Sequence, residues 1–136
     1  MSGYAVGDAL PELHIASVSA EAMKVMAVIL DDPNIIHLDA EAVKALGLGD
    51  RVINQGPSNS GYVMNMLLDA FPGGRITSFG ARFLSNVLGG DAVTASGRVD
   101  GVERSDAGTL VHCTAWLTVD PDRRALEATA TVLIPS

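Results

Sequence analysis

The stretch Tyr62–Phe71, YVMNMLLDAF, decides the fold. Val63, Met64, Leu67, Leu68 and Phe71 recur at the three-and-four spacing of a helix, with Tyr62, Asn65 and Asp69 between them. Ser58 or Asn59 is suited to cap this helix, and Pro72-Gly73-Gly74 ends it. From Arg75 onward the period changes. RITSFGARFLS, DAVTASGRVDGV, GTLVHCTAWLTV and RALEATATVLI are four runs divided by LGGD, ERSDAG and DPDRR turns. Alternation such as Val93, Ala95, Gly97, Val99 and Ala128, Ala130, Val132 fits strands at hairpin spacing, which predicts a four-stranded antiparallel meander.

Upstream of the long helix, PELHIASVS reads as a first strand, with Leu13, Ile15 and Ser17 alternating. Ser19 then caps a helix over AEAMKVMAVIL, which stops near Leu30 because Pro33 disfavours helical geometry in the residue before it. Asp39 starts a short helix, AEAVKALG, with Leu38 and Val43 placed as a hydrophobic staple and Gly47 as its stop. Helices first and strands after predict an α+β domain. A long sheet around one apolar helix is a hot-dog arrangement, here expected as one domain over residues 1–136.

A chain of 136 residues can bury roughly two-thirds of its unfolded surface, enough for a single core. Its net charge of −7 opposes any extended phosphate-tracking face, and of nine basic residues only Arg123 and Arg124 are adjacent, so nucleic acid is not expected as a partner. The longest apolar run, VMAVIL, is far below the ~20 residues of a membrane span, and the first residues carry no basic start. A cytoplasmic location is expected. The single cysteine, Cys113, lies in a strand pattern where thiols act as small hydrophobes. His14 and His112 lack spaced partners for a metal site, and GGRITSFG lacks the Lys-Ser/Thr pairing of a phosphate loop.

Between the first two helices stands DDPNIIHLDA, Asp31–Ala40. His37 falls two residues before a helix cap, so backbone fixed on both sides mounts it rigidly. Asp31 reads as a solvated neighbour and Asp39 as a cap. An imidazole titrates in the range that acid-base chemistry near neutral pH requires.

Asp32-Pro33-Asn34-Ile35-Ile36-His37-Leu38-Asp39, the Ala-rich helix that follows, and Asn54-Gln55-Gly56 before the long helix resemble the MaoC-like (R)-specific enoyl-thioester hydratases and dehydratases. RFLSNVLGGDAVTASGRVDGV and EATATVLIP are similar to that family's sheet segments, so the resemblance spans nearly the whole chain. It implies reversible addition of water across the α,β double bond of a coenzyme A or carrier-protein thioester, with no cofactor. By position it makes Asp32 the carboxylate, His37 the imidazole and Gly56 the amide facing the thioester oxygen, with Asn34 shaping the loop. Gln55, Ser58 and Met64 are expected beside the substrate, in a pocket that Met26, Val63 and Leu67 also line. A homodimer is expected, since a sheet wrapped around one helix leaves an edge to be covered.

The chain departs from the family pattern Asp-x-Asn-Pro-x-His-x-Asp at Ile35, where the family has proline, and carries Pro33 instead. The Ser-Gly before the aspartate is Leu30-Asp31, the Val/Ala-His before the glycine is Asn54-Gln55, and the Met after it is Pro57. These changes bear on the acyl pocket. The alternatives are a hot-dog thioesterase, against which the Asp32 to His37 spacing argues, and a non-catalytic or partner-dependent hot-dog subunit.

Overall fold

The computed structural model describes residues 3–136. Its elements, in chain order, are β1 (Leu13–Ile15), α1 (Ala20–Ile29), a 3-10 turn (Ile35–His37), α2 (Ala40–Ala45), α3 (Gly56–Ala70), β2 (Arg75–Phe83), β3 (Val93–Ser105), β4 (Gly108–Val119) and β5 (Arg123–Pro135). The five strands make one antiparallel sheet in the order β1-β3-β4-β5-β2, with α3 against it: the hot-dog fold.

Three of the four long strands form the expected meander; β2 does not stand next to β3. It pairs with β5 at the far edge, from Arg75 opposite Leu133 to Phe83 opposite Leu126. The β2–β3 link cannot be a tight turn because it is held elsewhere. Val87 is fully buried, its carbonyl accepts from the Asn54 amide at 2.7 Å, and Leu88 bridges to Ile53. The link thereby reaches the segment just ahead of α3.

Helix α3 begins at Gly56, ahead of both expected caps. Gln55 is the N-cap, at φ −64 and ψ 140, and no side chain caps the helix. Pro57 sits in the first turn, where its missing N–H removes no helical bond and its fixed φ is already helical. The buried stripe is also rotated from the expected one: Asn59, Ser60, Val63, Met66, Leu67 and Ala70 face inward. Leu68 is 41% exposed, while Met66 is wholly enclosed. Gly97 of β3 makes room for Met66, since a Cβ there would lie 3.2 Å from the methionine methyl and 3.1 Å from Leu10. Met66→Ala is therefore expected to lower unfolding stability by about 3 kcal/mol, and Leu68→Ala by less than about 1, in paired denaturant titrations.

The two short helices end as their sequences dictate. The Ser19 hydroxyl accepts from the Ala22 amide at 3.0 Å, and the Asp39 carboxylate from Glu41 at 2.9 Å. Gly47 closes α2 at φ +72, a conformation that glycine adopts without strain. No helix among the described residues is long and apolar enough to cross a membrane.

Cys113 is buried in β4, and its thiol is pushed up to about 11, first by burial and then by the nearby Asp100 carboxylate. A thiol with so high a pKa holds almost no thiolate at pH 8. Native protein at that pH should resist a thiol reagent that labels the denatured chain within minutes; rapid native labelling would contradict this environment.

Candidate active site

The site begins where α1 ends. Leu30 is the C-cap, Asp31 follows in the left-handed region at φ +50, and Asp32 comes next. The Asp32 amide donates to the Ala27 carbonyl at 2.9 Å and the Asp31 amide to Val28 at 3.2 Å. This is the paired-bond helix ending in which glycine usually occupies the left-handed position. Aspartate tolerates that conformation better than most residues. Asp31 is thus the residue that turns the chain, a role beyond the solvated neighbour read from sequence.

Three successive hydrogen bonds then carry the chain from Asp32 to His37. Asp32 Oδ1 accepts from the Asn34 amide at 3.1 Å, Asn34 Oδ1 from the Ile36 amide at 3.2 Å, and the Asn34 carbonyl from the His37 amide at 3.2 Å. Asn34 caps the 3-10 turn that lifts His37. The imidazole is buried, and its Nδ1 lies 2.6 Å from the Ile53 carbonyl. A carbonyl only accepts, so in neutral His37 the proton sits on Nδ1 and Nε2 carries the lone pair. That Nε2 stands 3.3 Å from Oδ2 of Asp32, whose side chain is 37% exposed. A buried base and a half-open carboxylate therefore face each other.

Ile53 joins this loop to the start of α3. Its amide donates to the Ile36 carbonyl at 2.9 Å, and its own carbonyl receives His37. Only Asn54 and Gln55 separate it from Gly56. Ser58 and Asn59 donate their amides to the Gln55 carbonyl at 3.1 and 3.2 Å, and Pro57 has no N–H. The Gly56 N–H is the first-turn donor that has no partner among the described residues. It lies at the positive end of a fifteen-residue helix.

The remaining expected residues are spread around this start. Gln55 is 1% exposed and donates Nε2 to the Met23 carbonyl of α1 at 2.8 Å, so its amide ties two helices together while its Oε1 has no partner. Asn54 donates to Asn59 at 2.8 Å in a second buried amide pair. Ser58 borders a cleft of about 260 Å³ between α1 and α3, together with Met26, Asn54, Pro57, Gly61 and Tyr62. A second cleft, of about 340 Å³, reaches His37 between α1 and α2 and is edged by Lys24 and Arg51. Met64 is half-buried and borders neither cleft, and Val63 and Leu67 belong to the core.

The chain thus sets a carboxylate against an imidazole held in one tautomer, tied through Ile53 to the start of α3, on a hot-dog scaffold. Residues 8–120 match the family model described as MaoC like domain, and the chain belongs to that family. Its fold is similar to that of the (R)-hydratase from A. caviae involved in PHA biosynthesis, with a TM-score of 0.87 at 23% identity over 99% of this chain and 100% of the other. A chain of the ChsH1–ChsH2 complex from Mycobacterium tuberculosis matches with a TM-score of 0.80 at 24% identity, covering 96% of this chain and 98% of that one. One from the C-terminally truncated HadBC (3R-hydroxyacyl-ACP dehydratase) complex of the same organism matches with a TM-score of 0.78 at 19% identity, covering 94% and 96%. A comparison with curated proteins found no match.

Proposed function

We propose that the protein hydrates 2-enoyl thioesters reversibly to 3-hydroxyacyl thioesters. The observation that carries this reading is the 3.3 Å approach of His37 Nε2 to Asp32 Oδ2, with Nδ1 fixed on the Ile53 carbonyl. Two acceptors so placed are held together by a proton between them or by a water molecule that donates one O–H to each. The second case is the state poised for catalysis. As the water oxygen bonds to C3 of the substrate, its proton passes to the pair, and electron density moves through C2 onto the thioester oxygen. The Gly56 N–H meets that charge, and the proton held by the pair is delivered to C2. Atoms balance, with one water consumed and no redox change.

The substrate carrier in this reading is coenzyme A or an acyl carrier protein. The protein acts in the cytoplasm as a homodimer in which a second copy covers the sheet edge. Decay of the enoyl absorbance of crotonyl-CoA on addition of purified protein tests the activity. Release of free thiol without hydration would point instead to a thioesterase, and inertness of the isolated chain to a subunit that needs a different partner. The second outcome has a structural precedent in likeness only, since two of the similar folds come from complexes of named components.

A further inference from the structure

The geometry points to Phe83 as a positioning and specificity residue: its aromatic ring is the wall that holds a planar enoyl thioester against the Gly56 amide. This rests on the hydratase reading. Phe83 ends β2, the edge strand, opposite Leu126. The chain immediately after it is pinned, as the Leu84 and Ser85 amides both donate to the Ala125 carbonyl, at 2.9 and 3.3 Å. The ring is therefore carried on fixed backbone.

Its placement against α3 is close. Two ring carbons, Cε1 and Cζ, lie 3.3 Å from the position that a Cβ on Gly56 would occupy. Gly56 is helical and does not have positive φ, so its backbone does not call for glycine; a Cβ there would crowd the Phe83 ring, which would have to give by a few tenths of an ångström. Core packing does not explain this contact, because the ring is 54% exposed and lies outside the buried cluster. What the ring does accomplish is to stand beside a free N–H. An aromatic face there displaces water from one side of the amide, which strengthens its hydrogen bond to a charged oxygen. It also offers an apolar plane to a conjugated substrate, whose C1–C3 unit is flat until water adds.

The test compares wild type with Phe83→Ala, Phe83→Tyr, Gly56→Ala and the double variant Gly56→Ala/Phe83→Ala. Phe83→Ala should lower kcat/KM for crotonyl-CoA at least fivefold with little change in Tm, as suits an exposed side chain, and Phe83→Tyr should stay within threefold of wild type. Gly56→Ala should lose activity by pushing the ring aside, and the double variant should lose less than the product of the two single losses. A loss below fivefold in Phe83→Ala, or an equal loss in Phe83→Tyr, overturns the assignment. If wild type does not hydrate crotonyl-CoA, the hydratase reading fails by itself. Calorimetric binding of the unconsumed crotonyl-CoA then decides Phe83: at least fivefold weaker binding in Phe83→Ala upholds its role, and a smaller change or no binding to wild type overturns it.

Discussion

Asp32→Asn and His37→Gln are each expected to lower kcat/KM for crotonyl-CoA by at least about a hundredfold while leaving Tm nearly unchanged. Both replacements keep the local hydrogen bonds and remove proton transfer. Asparagine retains an oxygen for the Asn34 amide, which Asp32 Oδ1 accepts at 3.1 Å, so the turn survives. Glutamine can offer an N–H toward the Ile53 carbonyl, now 2.6 Å from Nδ1, so the tie to the α3 entry survives in kind. Neither amide takes a proton from water near neutral pH. If the two groups act on one water, as proposed, the double variant should be hardly slower than either single one. Losses that multiplied would mean separate roles, and near-normal hydration by either variant would remove the dyad from the mechanism.

What the sequence discloses here is unequal, and the reasons are physical. Caps and stops are short-range, so Ser19, Asp39 and Gly47 are read from their own neighbours, and the structure places each where local chemistry puts it. The buried face of α3 is harder. Met64, Met66, Leu67 and Leu68 are apolar on all sides, and only the sheet decides that Met66 goes in and Leu68 out. The place of β2 beside β5 is likewise beyond a hairpin-spacing rule, because it is set by Val87 and Leu88 docking near Ile53 and Asn54. At the site, Asp32 and His37 are legible as a pair through the resemblance of their loop to the family pattern, but two supporting parts are not. The Ile53 carbonyl that fixes the imidazole is sixteen residues from it and has no side-chain signature. Phe83 reaches Gly56 from the end of the edge strand β2, twenty-seven residues on. Aspartate at position 31 was readable in principle, as a left-handed helix ending filled by a residue other than glycine.

The oxyanion role proposed for Gly56 calls for a change that removes its N–H and nothing else. Proline would add ring carbons toward Phe83, where even a Cβ meets carbon at 3.3 Å, and would stand before Pro57, which disfavours helical geometry in the residue it follows. Replacing Gly56 by glycolic acid, so that an ester oxygen takes the place of the amide nitrogen, avoids both problems. Within a helix such a change normally deletes a backbone hydrogen bond. Here the N–H has no partner among the described residues, so the folded state loses only some acceptor strength at the Gln55 carbonyl, which Ser58 and Asn59 share. Stability should fall by no more than about 1 kcal/mol. Turnover should fall by about a hundred- to a thousandfold, the usual cost of losing one donor to a developing oxyanion. The loss should appear in kcat more than in KM, because the donor is aimed at charge that the ground-state carbonyl lacks. An ester variant that hydrates crotonyl-CoA at the wild-type rate would leave the dyad in place and require a different group to hold the oxygen.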